Sequence, residues 1–180
     1  MKKVPQYSQF LDVTKKGWKI RACGVASLAM VLDHYKKNKK TSIDKLIDYG
    51  VSIGAHNKEL GWIHSGIVNI AKHEGFKGER YDWRDIDANI SFNKMNEYLK
   101  NGPIIASIHK NFNPKNSGHL VVVTSKNKSH ITIHDPIARK REQIKREIPI
   151  DVFLTGWKKR IVVVRPKSKK ICECKKGMIQ

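Results

Sequence analysis

Acidic residues are scarce in this chain. Across its 180 residues, 16 Asp and Glu stand against 36 Lys and Arg, a formal net charge of +20. Such a field attracts nucleic acid, anionic lipid or acidic protein, but it does not specify a fold. The charges are scattered, and the plain reading of the surplus is a Lys-rich solvated surface; Lys36-Lys37-Asn38-Lys39-Lys40 reads as a loop after a helix. Cysteine is scarcer still. Of the three, Cys23 stands alone, while Cys172 and Cys174 share a basic C-terminal stretch. Three cysteines cannot all pair, which excludes a disulfide framework. Long hydrophobic runs are missing too. Stretches such as Leu120 to Val123 are far too short to span a bilayer. The N-terminus, Met1-Lys2-Lys3-Val4-Pro5-Gln6-Tyr7, lacks the apolar core of a signal peptide. These absences lead us to expect a soluble, cytoplasmic protein without a membrane span, with a reduced thiol at Cys23.

The length suits one domain with a real core. We expect it to cover residues 1–165, followed by a basic, mobile tail over 166–180. From Cys23 to Tyr35 the spacing is helical, with Leu28, Leu32 and Tyr35 on one face. Residues 42–49 predict a short helix with Ser42 as N-cap and Gly50 as its stop. Residues 62–74 and 91–100 predict two more. The character then changes: 104–109, 119–125, 130–135 and 160–165 are β-branched and apolar, hence strands. Residues 143–154 hold a further strand or short helix. Helices first and strands second argue an α+β fold, with the helices on one side of a mainly antiparallel sheet.

Three segments carry chemistry. Arg21-Ala22-Cys23-Gly24-Val25-Ala26-Ser27-Leu28 puts a cysteine at the mouth of an apolar helix. Ser117-Gly118-His119-Leu120-Val121-Val122-Val123 puts a histidine at the start of a strand, and His134-Asp135-Pro136 an aspartate at the end of the next. Cys, His and Asp are the parts of a thiol nucleophile, its base and the group that orients the base. Folded as a hairpin turning around Asn127-Lys128, residues 119–135 place Val123 opposite Ile131, Val121 opposite Ile133 and His119 opposite Asp135, all on one face. Opposed Cβ atoms lie about 4.5–5.5 Å apart, within reach of a hydrogen bond between those side chains. At a helix N-terminus the partial positive charge favours thiolate over thiol at Cys23. The oxyanion would take the backbone N–H of Cys23 and an upstream amide, from Gln9 or Gln6.

Taken alone, each part has a plainer reading. A cysteine before an apolar helix is usually a small buried residue, and Asp-Pro commonly ends a strand. The nucleophile reading rests on the three together. His109, His130 and His134 read as surface positions. His56, His64 and His73 make no zinc spacing with a cysteine pair, and Cys172-Glu173-Cys174 lacks two further ligands nearby. Neither a metal nor an organic cofactor is called for. Trp62, Trp83 and Trp157 read as core or cleft walls, and Trp18, close before Cys23, as a candidate cleft residue.

In their order, Val4-Pro5-Gln6-Tyr7-Ser8-Gln9, Ala22-Cys23-Gly24-Val25-Ala26-Ser27, Gly61-Trp62-Ile63-His64-Ser65-Gly66-Ile67-Val68, Asn101-Gly102-Pro103-Ile104-Ile105-Ala106-Ser107-Ile108, Gly118-His119-Leu120-Val121-Val122-Val123 and Asp135-Pro136 resemble the C39-type cysteine peptidases, in their stand-alone C39-like branch. Val25 and Ser125 depart from the proline and glycine often found there. The resemblance implies a papain-like α+β fold and a peptide or protein substrate. It also implies roles: Cys23 as nucleophile, His119 as base, Asp135 as orienter and Gln9 as oxyanion donor. The fused transporter members cleave leader peptides after a double glycine; that substrate is not carried over. The same triad logic serves acyl transfer to an amine, so a papain-like transpeptidase is an alternative. A rival of another class is an inactive basic module that binds nucleic acid or another polyanion, although no nucleic-acid motif supports it. The charge also suits recruitment of an acidic substrate.

Overall fold

The computed structural model describes residues 3–36 and 40–167. Most of the expected tail, with Cys172 and Cys174, lies outside the described residues, as does the centre of the Lys-rich loop. In chain order the elements are α1 (Cys23–Tyr35), α2 (Ile43–Ser52), β1 (His56–Asn57), β2 (Gly61–Trp62), α3 (His64–His73), β3 (Phe76–Asp82), α4 (Ala88–Lys100), β4 (Ile104–His109), β5 (Gly118–Lys126), β6 (His130–His134), β7 (Lys145–Pro149), α5 (Ile150–Gly156) and β8 (Trp157–Pro166). No helix among the described residues is long and apolar enough to cross a membrane.

The helices begin and end for local reasons. Ser42 caps α2 as predicted, its hydroxyl accepting from the N–H of Lys45. Gly50 does not stop that helix. It sits inside it because a Cβ there would meet the ring of Trp62 at 2.5 Å. Asp87 caps α4 by accepting from the N–H groups of Asn89 and Ile90, so that helix starts three residues before the predicted point. In α1 every residue from Gly24 to His34 is buried. The one-sided stripe read from its sequence is therefore only part of its contact surface; α2 and α3 cover the rest. Its buried Asp33 accepts from Tyr7 Oη at 2.8 Å and from the N–H of Thr41, as a buried carboxylate must.

The main sheet is antiparallel throughout, in the order β3-β8-β4-β5-β6-β7. The fold is α+β, but the helices lie on both faces rather than one. Leu120, Val122, Ile105, Val162 and Val164 pack beneath α1 and α3, whereas Val121, Val123, Ile133, Ile161 and Val163 pack with Phe92 and Met95 of α4 and Phe153 of α5. The unbroken apolar run of β5 is what a strand covered on both sides requires. Burying each such side chain contributes about 1.5–3 kcal/mol. Residues 143–154 supply both a strand and a helix. β3 was not anticipated: Phe-Lys-Gly-Glu-Arg-Tyr-Asp has little apolar content, and it forms an edge with mostly exposed side chains.

The β5–β6 register differs from the predicted hairpin. The turn closes between Asn127 and His130, where Asn127 Oδ1 accepts from the N–H groups of Ser129 and His130. Ladder numbers therefore start one residue out of phase with the apolar face. A bulge between Val123 and Ser125 absorbs the extra residue, so that Val123 pairs with Ile133 and Val122 with His134. The shift from the predicted register is two residues, and a shift of two keeps every side chain on its face. His119 and Asp135 become diagonal rather than opposed neighbours. They still meet.

Candidate active site

The C-terminal end of β4 and the starts of β5 and β8 form one rim of the sheet, and the N-terminus of α1 meets that rim. His119 lies one residue into β5, paired with Ile108. Asp135 lies one residue beyond β6, its N–H bonded to the carbonyl of Ile144. Both are buried. His119 Nε2 stands 2.7 Å from Asp135 Oδ1. That carboxylate also accepts from the N–H of Ile137 at 3.1 Å and, through Oδ2, from Arg146 Nη1 at 3.2 Å.

Cys23 is the first residue of α1 and is partly buried. The side chain of His119 and the N–H groups of Leu120 and Gly24 act on its thiol. Burial pushes the Cys23 thiol up, but the hydrogen bond and charge of His119, aided by those two N–H groups, outweigh it and leave the thiol below its ordinary value. Burial acts on His119 in the opposite sense, and Asp135 and Cys23 overcome it, raising the imidazole to about 10. Burial would raise Asp135, yet His119, the Ile137 N–H and Arg146 keep it lowered. The arrangement favours a thiolate beside an imidazolium beside a carboxylate.

Gly24 and Trp62 fix the helix mouth. A Cβ on Gly24 would lie 2.7 Å from Trp62 Cβ and Cγ, so only glycine fits. Trp62 Nε1 donates to the carbonyl of Arg21 at 2.6 Å. Its ring forms a trio with Trp18 and His56, at centroid distances of 5.9 and 5.1 Å. Trp62 is thus a wall of the site, and the half-exposed Trp18 lies beside it. Trp83 and Trp157 belong to the core on the opposite face of the sheet.

The structure separates the two glutamines. The backbone N–H of Gln9 donates to the carbonyl of Pro136 at 2.8 Å, which holds it against the segment that carries Asp135. Its side chain is buried, and Oε1 has no hydrogen-bond partner among the described residues. Gln6 instead lines a groove of about 540 Å³ with Pro103, Thr132 and His134, and its carbonyl accepts from Arg141. His134 was expected at the surface; it is buried, with Nδ1 3.0 Å from the carbonyl of Pro5. It helps to clamp the N-terminal segment. Sequence reasoning missed Arg146: eleven residues beyond Asp135 in a basic stretch, it carries no local signal.

The sequence matches the model of the Peptidase_C39 like family over residues 1–161. No curated protein is significantly similar to the chain. Among solved structures, the peptidase domain of Streptococcus ComA, a bifunctional ABC transporter involved in quorum sensing, has a TM-score of 0.62 at 23% identity, covering 82% of this chain and 93% of that one. A double glycine motif protease from an AMS/PCAT transporter, solved with the leader peptide, scores 0.61 at 21% identity over 92% and 94%. A C39-like peptidase from Bacillus anthracis scores 0.66 at 16% identity over 93% and 96%. At such identities the likeness is one of fold: the α+β architecture is papain-like, as in C39 peptidase domains.

Proposed function

The chain belongs to the C39-like peptidase family, and from that premise we propose that it is a cysteine peptidase acting through a thioester on Cys23. The observation that carries this reading is the buried hydrogen bond between His119 and Asp135, set beside a Cys23 thiol that His119 lowers. The Cys23 thiolate attacks the carbonyl carbon of a peptide bond, and the oxyanion is held by the backbone N–H of Cys23 and the Gln9 side chain. As the tetrahedral adduct collapses, the C–N bond breaks and His119 gives its proton to the leaving amine. Water then loses a proton to His119 as it attacks the thioester. The C–S bond breaks, releasing the acid and restoring the ion pair. Asp135 holds the ring and stabilises its charged form. A peptide is the substrate class we propose. The transporter protease solved with its leader peptide supports that class by fold.

The test is the pH dependence of Cys23 alkylation by iodoacetamide, mapped by mass spectrometry, with Cys172 and Cys174 as internal controls. An ordinary thiol titrates near 9.0. Fast alkylation of Cys23 well below that pH, lost in His119→Ala, is the expected result. A Cys23 that reacts no faster than the controls overturns the reading and favours an inactive module that uses its charge on a polyanion.

A further inference from the structure

A second group of charged side chains shares the rim with Cys23 and His119, and the peptidase reading does not use it. Val162 and Val164 of β8 point into the core beneath α1 and α3, so Arg160, two residues before Val162, points to that same side. Gly78 of β3 abuts Val68 of α3, which places Arg80 and Asp82 there too. Asp82 is paired with Arg160 across the ladder. Between β4 and β8 the register jumps, Ser107 pairing with Arg160 and Ile108 with Trp157, so Lys158 and Lys159 bulge out. Lys159 turns to the opposite side and donates to the carbonyl of Ile86. Lys158 turns toward β5: its Nζ lies 3.6 Å from where a Cβ on Gly118 would be, next to His119.

Lys158 and Arg160 are half-buried. Arg160 Nε is buried without a hydrogen-bond partner, and no carboxylate stands within ion-pair range of either side chain among the described residues. Asp82 is committed to Arg84 at 2.9 Å. Burial and the field of Arg160, with Arg80 and Lys158 adding to it against Asp82, hold His64 neutral, down to about 4. Burial and neighbouring guanidinium groups also lower Lys158 and Arg160. Asp82 acts on Arg160 only from beyond ion-pair range, and half-buried cations that repel one another without a close counter-charge are costly in a free protein and become favourable when an anion arrives.

We propose that Lys158 and Arg160, with Arg80 at the outer edge, form a carboxylate-binding subsite next to Gly118, on the rim that carries Cys23 and His119, that selects peptides with an acidic group on that side of the scissile bond. The inference rests on the peptidase reading and names its substrate class. A planar guanidinium and a flexible ammonium together suit a carboxylate. Two sources offer one: an Asp or Glu side chain, or the free end of a peptide.

The test compares alkylation of Cys23 by iodoacetate and by iodoacetamide in the full chain. Both report the thiolate, but only iodoacetate carries a carboxylate. The pH profile with iodoacetamide checks the peptidase reading separately. The expected result is that Lys158→Gln/Arg160→Gln lowers the iodoacetate-to-iodoacetamide rate ratio several-fold while leaving the iodoacetamide rate near wild type. Arg80→Gln, at an exposed position, lowers the ratio less and guards against a double variant that fails to fold. An unchanged ratio in folded variants overturns the subsite. Two heptapeptides then identify the source as protectants of Cys23, one with an internal Glu and an amidated end, the other with neutral side chains and a free carboxylate. Protection by the first assigns the subsite to side chains, and by the second to chain ends. Protection by neither overturns its role in substrate selection.

Discussion

His119 gives Nε2 to Asp135, at 2.7 Å, and this leaves Nδ1 as the ring nitrogen available to Cys23. The carboxylate therefore sets the ring's rotation as well as its charge. Asp135 is itself fixed from two sides, by the N–H of Ile137 and by Arg146.

Asp135→Asn keeps the shape but loses the charge and can present the ring with a donor where it needs an acceptor. We expect a fall in kcat on the order of 10²- to 10⁴-fold with KM little changed. The alkylation profile of Cys23 should move to higher pH. Peptide hydrolysis kinetics read beside iodoacetamide rates check both, and a variant with wild-type values in each removes Asp135 from the reaction.

Stability should show the same coupling. Between the ordinary histidine value of 6.5 and the ordinary thiol value of 9.0, the unfolded chain holds one proton, on Cys23. Across that range folded His119 also keeps its proton, and the folded thiol, lowered, holds its own less tightly than the unfolded one. The share of stability that comes from the lowered thiol is complete above 9.0 and is lost as pH falls through its folded value. Above 9.0 the unfolded chain binds none while folded His119 keeps its proton to about 10, so stability drops as pH rises. One proton corresponds to about 1.4 kcal/mol per pH unit. The stability difference between wild type and Cys23→Ala/His119→Ala, measured by denaturant unfolding from pH 9 to 10, should fall as pH rises. A difference that does not fall there would show that folded His119 does not keep its proton above the ordinary thiol range.

How much of this was legible in the sequence depends on what each signal measured. Ser42 capped its helix because its hydroxyl acts on its own first turn. The apolar run of β5 identified a strand, but its continuity also implied cover on both faces, and that inference was not drawn. β3 escaped because an edge strand need not be apolar. The His119–Asp135 pairing was found through a register off by two residues, and it survived because the error was even. Arg146, Lys158 and Arg160 escaped because basic residues are everywhere in this chain; only the fold distinguishes a solvated lysine from one set against Gly118.

Gly24 offers a test of the helix mouth that leaves every reacting group in place. In Gly24→Ala the new methyl meets Trp62 at its Cβ and Cγ, close to the backbone, where the side chain cannot swing away. Overpacking of this kind costs about 1–3 kcal/mol. We expect a lower melting temperature and slower alkylation of Cys23, because the N–H of residue 24 is one of those that hold the thiolate. Unchanged melting and reactivity would mean that Trp62 shifts freely and does not set the position of Cys23.

Gln9 is the sharpest case, because its buried Oε1 is unpaired among the described residues. An unsatisfied buried amide oxygen costs about 1–3 kcal/mol. It is tolerable where the other end of the amide has to point at something else. An amide that turns its N–H₂ toward the oxyanion position would leave its oxygen facing protein, and a buried, unpaired Oε1 fits that orientation. Gln9→Ala should lower kcat by about 10²- to 10³-fold, the size of one lost oxyanion donor. The pH profile of Cys23 alkylation should stay put, because iodoacetamide is displaced at an sp³ carbon and forms no oxyanion. Gln6→Ala, with its side chain in the other groove, should change neither. If Gln9→Ala slows alkylation as much as hydrolysis, Gln9 shapes the site around the thiol instead of serving the oxyanion.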